Sequence, residues 1–459
     1  MRLQIALNSA RGRAQSLTSE RLVNMFAEKA PEGAEAPVTV HGAPGMVTFA
    51  DTAGGACRGL RSVSGVMYAV NGTNLYRIGS DGTASASLGT VPGTALVSMD
   101  TDGDILVVVT NPDAYTYTVS TATFAQIVDA AYGGAHSVIW MNQMFIFASA
   151  TGHFVGATGG LLPFDPLLAA SAEYAPDDIV GIARDHNEFL IYGQSTLESW
   201  QIVTVASATD YPLEAISGAI AEKGLAGPRA IVQLDNTTVW LDQHGIVRRL
   251  AGGYVPERIS TEAIEHQLSS ATLSTAEMLV YVIEGHECFA LNTDVGTYVW
   301  DANTRLWHER ESYGVSRWKA QCSVFAYGAW YVGSNADGVI SRLDLDTHDE
   351  NGDELIASMV FPPIVFGRDR FTVNMLELAC DVGVGSVSVD PVVQLRLSRD
   401  GQDWGNGLQR GLGKSGERTK RVNWSRLGQW EKCHVRLDIS DAYRRAIYAV
   451  YADITQDDR

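Results

Sequence analysis

The pattern that most limits how this chain can fold is a short apolar burst set behind a turn and repeated along its middle. It reads GVMYAV, GDILVVV, NQMFIFA, NEFLIYG, NTTVWLD, HECFALN and GAWYVGS. The anchors Met67, Ile105, Met144, Phe189, Val239, Phe289 and Trp330 follow one another at roughly 38 to 50 residues, the length of one four-stranded propeller blade. Several units continue as a blade requires. NGTNLYRIGSDGTASASLG, DQHGIVRRLAGGYVPERIS and NTDVGTYVWDANTRLWHER each read as strand, tight turn, strand. The pattern predicts seven units between about residues 57 and 350, or six if GHFVGATGGLLPFDPLLAAS is an insertion. A ring left open would expose an unpaired strand edge. The segment PVTVHGAPGMVTFA, residues 37 to 50, is the candidate for the closing strand.

The period stops at DLDTHDENGDE, residues 344 to 354, where acids, Asn and Gly crowd together without an apolar repeat. This reads as a solvated linker. A calcium loop in the register of Asn351 and Gly352 would start on Thr347, which supplies no carboxylate. Beyond it come five strand candidates, NMLELACDV, PVVQLRLS, TKRVNWSRLG, EKCHVRLDIS and AIYAVYADI, with the alternation of a half-buried antiparallel sheet. The expected architecture is therefore all-β. An N-terminal arm and closing strand span 1–56, a β-propeller spans 57–350, and a β-sandwich spans 351–459. Helical turns are expected only in SERLVNMFAEKA near the start and in STEAIEHQLSSA, residues 260 to 271.

With 34 basic and 53 acidic residues the chain carries a formal charge of −19, which opposes general adhesion to DNA phosphates and anionic lipids. An acidic wall could still surround a duplex and let it slide. Cys57, Cys288, Cys322, Cys380 and Cys433 are widely spaced and sit in apolar runs, so they read as reduced core thiols of a chain folded in a reducing cytosol. MRLQIALNSARGRAQ lacks the apolar stretch of a signal peptide, and a soluble chain is expected.

SRDGQDW, residues 398 to 404, is close to the Asp-box of sialidases but one residue short, and it occurs once. Its place between two sandwich strands makes Asp400 and Gly401 turn residues, with Trp404 packing back on the sheet. A carbohydrate-active or carbohydrate-binding propeller with a lectin-like sandwich is the alternative this motif raises. No GxSxG, P-loop or HExxH pattern occurs. His136, His153, His186, His244, His266, His286 and His308 are scattered about one per unit, as residues of local hydrogen bonds would be. The expectation is a non-enzyme without cofactor, metal or small-molecule substrate. ERTKRVNWSRLGQWEKCHVR, residues 417 to 436, gathers basic and aromatic residues, but strand alternation splits them between two faces. It reads as a protein interface ahead of a nucleic-acid site.

Two patches together resemble a known family. SARGRAQSLTSERLVNMFAEKAPEG with VHGAPGM near the start, and LSRDGQDWGNGLQRGLGKSGERTKRVNWSRLGQWEKCHVRLDISD near the end, are similar to the packaged-DNA stabilisation proteins of short-tailed bacteriophages, also called tail hub or nozzle accessory factors. Arg21, Val23, Asn24, Glu28, Pro44 and Gly45 match the first pattern, with Phe26 displaced by one from the expected Tyr. Ser398, Asp400, Gly401, Trp404, Gly413, Gly416, Arg421, Val422, Trp424, Arg426, Leu427 and Gly428 match the second. The resemblance implies a ring, a homo-hexamer, in the virion tail, assembled in the host bacterial cytoplasm. It would be mounted beneath the portal and adaptor, hold the tail needle or plug, adjoin tailspikes or fibres, and let DNA pass through its lumen without sequence-specific binding. On this reading Arg21, Asn24 and Glu28 fix the arm, and Trp404, Arg421, Trp424, Arg426 and Leu427 form the sandwich core and its interface.

Overall fold

The structure, a computed structural model, describes residues 1–14, 16–30, 33, 36–149, 153–158, 161, 164, 168–172, 174–203, 213–367 and 369–456. Five self-contained four-stranded antiparallel sheets occupy residues 57–90, 98–126, 137–171, 179–221 and 231–258 in chain order. Their apolar bursts become strands covered on both faces by neighbouring sheets, so continuous β-branched runs replace alternation. In Ile105–Val109, for example, the last four residues are fully buried.

Two further meanders follow. Glu277–Ile283, His286–Asn292, Thr297–Asp301 and Leu306–Arg310 form one, and Ala320–Ala326, Ala329–Ser334 and Val339–Asp344 form the other. Both merge into larger sheets of eleven and six strands, so the separate four-stranded sheets number five, where the sequence pattern predicts seven or six units. The physical reason is that strands from the chain's start pair onto the outer edges of these two meanders. The first strand of each unit packs against the first strand of the next, and Ala320–Ala326 packs on Cys57–Val63, which closes the ring. Within GHFVGATGGLLPFDPLLAAS, His153–Thr158 and Ala169–Ser171 are paired strands of the third sheet, while residues such as 162, 163 and 165–167 lie outside the described residues.

Closure uses the expected segment. Gly45–Asp51 pairs antiparallel with Val339–Asp344, from Asp51 opposite Val339 to Gly45 opposite Asp344. The stretch expected to be a solvated linker is instead an ordered hairpin, Asp349–Glu350 with Asp353–Glu354, laid against the closing strand. Asn351 and Gly352 turn it with φ of 57° and 92°, the left-handed pair of a two-residue hairpin loop. Glu350 is 2% exposed and accepts from Trp318 Nε1 at 2.9 Å and Arg310 Nη2 at 3.3 Å. One buried carboxylate thus anchors a segment whose remaining residues show no apolar period.

The C-terminal part is a sandwich of two sheets. One holds Met25–Lys29, Val38–Gly42, Ala446–Gln456, Phe371–Cys380 and Val422–Ser425 in that order. The other runs Ser19–Val23, Ala357–Val360, Lys432–Ile439, Val392–Ser398 and Leu408–Gly411. All five strand candidates of the sequence are present. Between the sheets lies one apolar core that includes Leu376, Val393, Leu395, Trp424, Val435, Leu437 and Ile447. Of the two expected helices, Glu262–Leu268 forms behind its cap Thr261, whose hydroxyl accepts from Ile264 N at 3.3 Å. SERLVNMFAEKA does not. It becomes strands Ser19–Val23 and Met25–Lys29, because Leu22, Val23, Met25, Phe26 and Ala27 are all buried and a left-handed Asn24, φ 53°, redirects the chain between two sheets.

Candidate functional site at the propeller and sandwich seam

Ser19–Val23 is the stitch between the two parts. Val23 pairs in parallel with Glu309 of the sixth meander, and Arg21 to Val23 pair antiparallel with Val360 to Ser358 of the sandwich. One eleven-stranded sheet therefore runs from propeller to sandwich. Asn24, 1% exposed, secures the turn that follows. Its amide Nδ2 donates to Glu311 O at 2.8 Å and Ile356 O at 2.9 Å, and its side-chain oxygen accepts from Glu311 N at 3.1 Å. Its backbone N–H donates to Glu309 O at 2.8 Å, and its carbonyl accepts from Ala43 N at 2.9 Å. A short amide that tolerates positive φ and can bond three backbone groups is what this corner requires.

Arg21 lies beside it. Its Nη2 reaches Glu309 at 2.5 Å and Glu311 at 2.7 Å, while Nε donates to both Glu309 oxygens at 3.1 Å. Burial alone would lower the Arg21 pKa, but the two carboxylates outweigh it and hold the guanidinium firmly charged. Burial likewise pushes Glu309 up, yet the paired Arg21 leaves it below the ordinary carboxylate range. Beneath this pair, Arg310 is fully buried, stacks 4.2 Å from the Trp318 ring centroid and donates to Pro44 O at 3.0 Å. Arg310, Trp318 and Glu350 had no signal in the sequence beyond residue type.

Glu28 stands apart from Arg21 and Asn24. It is half exposed, 3.5 Å from His41, at the rim of a cavity of about 400 Å³ between propeller and sandwich. His286, His348, Arg444 and the buried Arg445 also line it. His286 bonds Asp301 at 2.7 Å, and that bond raises its pKa despite burial. His308, wholly inside nearby, is held neutral by burial down to about 3. His136 bonds Ile179 O at 3.0 Å and His186 bonds Asp185 at 2.9 Å. Among the described residues no group of three or more His, Cys, Asp or Glu is arranged to hold a metal ion.

The C-terminal residues divide by burial. Trp424, 2% exposed, and Leu427 belong to the sandwich core, and Trp424 Nε1 donates to Leu408 O at 2.8 Å. Trp404 is only half-buried, with the Arg436 guanidinium 6.0 Å from its ring centroid. Arg421 and Arg426 are exposed. Arg421 forms a two-pronged pair with Glu377 at 2.7 and 2.5 Å, and Arg426 takes a left-handed turn at φ 60°. Lys420 pairs with Asp390 at 2.5 Å and Arg436 with Asp438 at 2.8 Å. Much of the basic tract is thus neutralised by the chain's own acids. SRDGQDW is the turn the sequence implied. Ser398 Oγ accepts from Gly401 N at 2.9 Å, and Asp400 Oδ1 accepts from Gln402 N at 2.8 Å and Asp403 N at 3.0 Å. These bonds hold the Asp400 carboxyl down at about 2, and Gly401 supplies φ of 79°. A carboxylate spent on backbone N–H groups is a turn former.

A ring of antiparallel blades closed by an N-terminal strand and fused through a shared sheet to a β-sandwich is a composite all-β structural class. Within that class, the family model described as bacteriophage P22 Gp10, β-propeller, matches residues 3–348, and the model described as bacteriophage P22 Gp10, β-sandwich, matches residues 359–455. The chain belongs to this family of phage stabilisation proteins. A search of curated proteins returns no match. Similar solved structures include the WD40 β-propeller domain of Doa1, at 12% identity and TM-score 0.43, covering 66% of this chain and 97% of that one. The computationally designed Ika8 protein is another, at 13% identity and TM-score 0.41, covering 74% and 100%. Neither likeness is strong enough to say more.

Proposed function

We propose that this phage structural protein is a ring-forming, non-enzymatic channel segment of the tail, placed below the portal and adaptor, which retains packaged DNA and lets it pass on ejection. The observation that carries the reading is the family match over both parts of the chain, joined to the seam that makes those parts one piece. In this reading the two merged meanders count as blades, and with the five separate sheets they make a propeller of seven.

The charge distribution supports a passage for DNA over a grip on it. The chain carries −19, and Lys420, Arg421 and Arg436 of the basic tract are engaged by Asp390, Glu377 and Asp438. Six such subunits around an axis would repel the duplex and let it slide. Contacts around the ring would be heterologous, one patch against a different one, and closure would stop open polymerisation. The same subunit would meet the portal and adaptor on one side and the needle or plug and the tailspikes or fibres on the other, in a virion assembled in the bacterial cytoplasm.

The test is particle assembly without the gene product, imaged by negative stain and assayed for DNA content. Empty or tailless particles are expected. Particles that keep both genome and tail would overturn the proposal, as would a native mass showing no ring when the purified protein meets its portal and adaptor.

A further inference from the structure

The ring closes where Cys57–Val63 meets Ala320–Ala326, and each strand brings a cysteine to the joint. Cys57 Sγ and Cys322 Sγ lie 3.4 Å apart, although 265 positions separate them along the chain. Both are free thiols. Gly333, paired opposite Cys322, leaves the space they occupy. A Cβ at Gly333 would fall 2.3 Å from Cys57 Sγ and 2.8 Å from Cys322 Sγ. Cys57 is fully buried, whereas Cys322 is partly exposed and lines an axial cavity of about 510 Å³ with Arg58, Arg61 and Arg229. The other thiols sit elsewhere, Cys288 between two meanders and Cys380 and Cys433 in the sandwich.

We propose that Cys57 and Cys322 form a disulfide that staples the first unit of the ring to the last, made by exchange with a low-molecular-weight disulfide entering through the axial cavity. The Cys322 thiolate attacks one sulfur of the small disulfide, whose S–S bond breaks and releases one thiolate. The Cys57 thiolate then attacks Cys322 Sγ of the mixed disulfide, forming the protein S–S bond and releasing the second small thiolate. The two protons lost by the cysteines end on the two released thiols. Two protein thiols are oxidised and one small disulfide is reduced. Bond formation needs the sulfurs to approach by about 1.4 Å, to the usual 2.05 Å or so. The hydrogen bond to Cys57, with burial, holds the Cys322 thiol well above its ordinary range, so exchange quickens as pH rises. Constraining so long a loop restricts the unfolded chain strongly. Nothing here depends on the proposed place in the tail.

The experiment takes the full chain, reduced and then incubated with oxidised glutathione at alkaline pH, and needs no substitution for its first readout. Peptide mass spectrometry should show Cys57 joined to Cys322, with titratable thiols falling from five to three. The melting temperature should rise by about 5 °C or more and return on reduction. C57S and C322S should each abolish the link and the rise, while a C288S/C380S/C433S chain keeps both. Links through other cysteines, a lone glutathione adduct on Cys322, five persisting thiols, or a link that leaves the melting temperature unchanged would each overturn the proposal.

Discussion

Arg21→Met removes the cation that ties Ser19–Val23 to the propeller while keeping the side chain's bulk. Glu309, only 8% exposed at its side chain, would lose its guanidinium partner, and Glu311 at 34% would lose a single contact. Stranding one buried member of an ion pair costs about 3–5 kcal/mol. The Glu311 arm, near the surface, adds less than about 1 kcal/mol. A loss of about 3 kcal/mol at neutral pH is expected. Its pH dependence is distinctive. In the parent the folded-state pKa of Glu309 lies below the unfolded value, so its contribution is present above about 4.3 and fades as pH falls through the folded value. Without Arg21, burial, the largest influence on Glu309, is opposed only by Arg11 and a hydrogen bond with Ser9 and raises it, so folding then favours the protonated form and acidification shrinks the handicap. Urea unfolding followed by tryptophan fluorescence at pH 7.5 and pH 4 measures both. R21M/E309Q should recover part of the loss, because the stranded charge is gone. A neutral-pH difference below about 1 kcal/mol, or one that stays constant to pH 4, would refute the reasoning.

Trp424→Ala should cost about 3–5 kcal/mol in the same denaturation, through a large core void and an orphaned Leu408 carbonyl. Gly45→Ala would push a Cβ to 2.4 Å from Thr347 O and 2.5 Å from Asp349 O, both backbone. A destabilisation of about 1–3 kcal/mol is expected, with earlier proteolytic cleavage near residues 45–51; an unchanged digestion pattern would count against the close approach. His308 should keep the NMR shift of a neutral imidazole until about pH 3. Because the unfolded chain protonates it near 6.5, the His308 contribution to stability is lost progressively as pH falls from there toward 3. A His308 midpoint above 5 would contradict its burial.

The propeller was legible because two-sided burial forces continuous apolar runs such as ILVVV at 105–109, and such runs recur at blade spacing. The closing strand was legible from a physical need, the unpaired edge. The sandwich strands announced themselves by alternation. What stayed hidden depends on partners far away in the chain. SERLVNMFAEKA reads as helical by itself, yet its backbone partners are Glu309 and residues 358–360. The hairpin at 349–354 is anchored by one carboxylate whose partners, Arg310 and Trp318, are not neighbours in sequence. The family resemblance marked Arg21 and Asn24 as residues that fix the arm, but their partners, Glu309, Glu311 and Ile356, lie nearly three hundred positions or more away and could not be read from the sequence. Trp404, expected to pack back on the sheet from its turn, is half-buried with the Arg436 guanidinium near its ring.

The closing strand has a consequence for how the molecule is made. Asp51 leaves the ribosome early, but its partner Val339 is translated only after six of the chain's meanders. Val23 finds Glu309 sooner and Met25–Lys29 pairs with Val38–Gly42, but the sandwich neighbours of these strands, Ala357–Val360 and Ala446–Gln456, come only after residue 350. Synthesis therefore carries the chain past residue 339 before Gly45–Asp51 has an edge to pair with, so the ring is sealed only after its blades have been made.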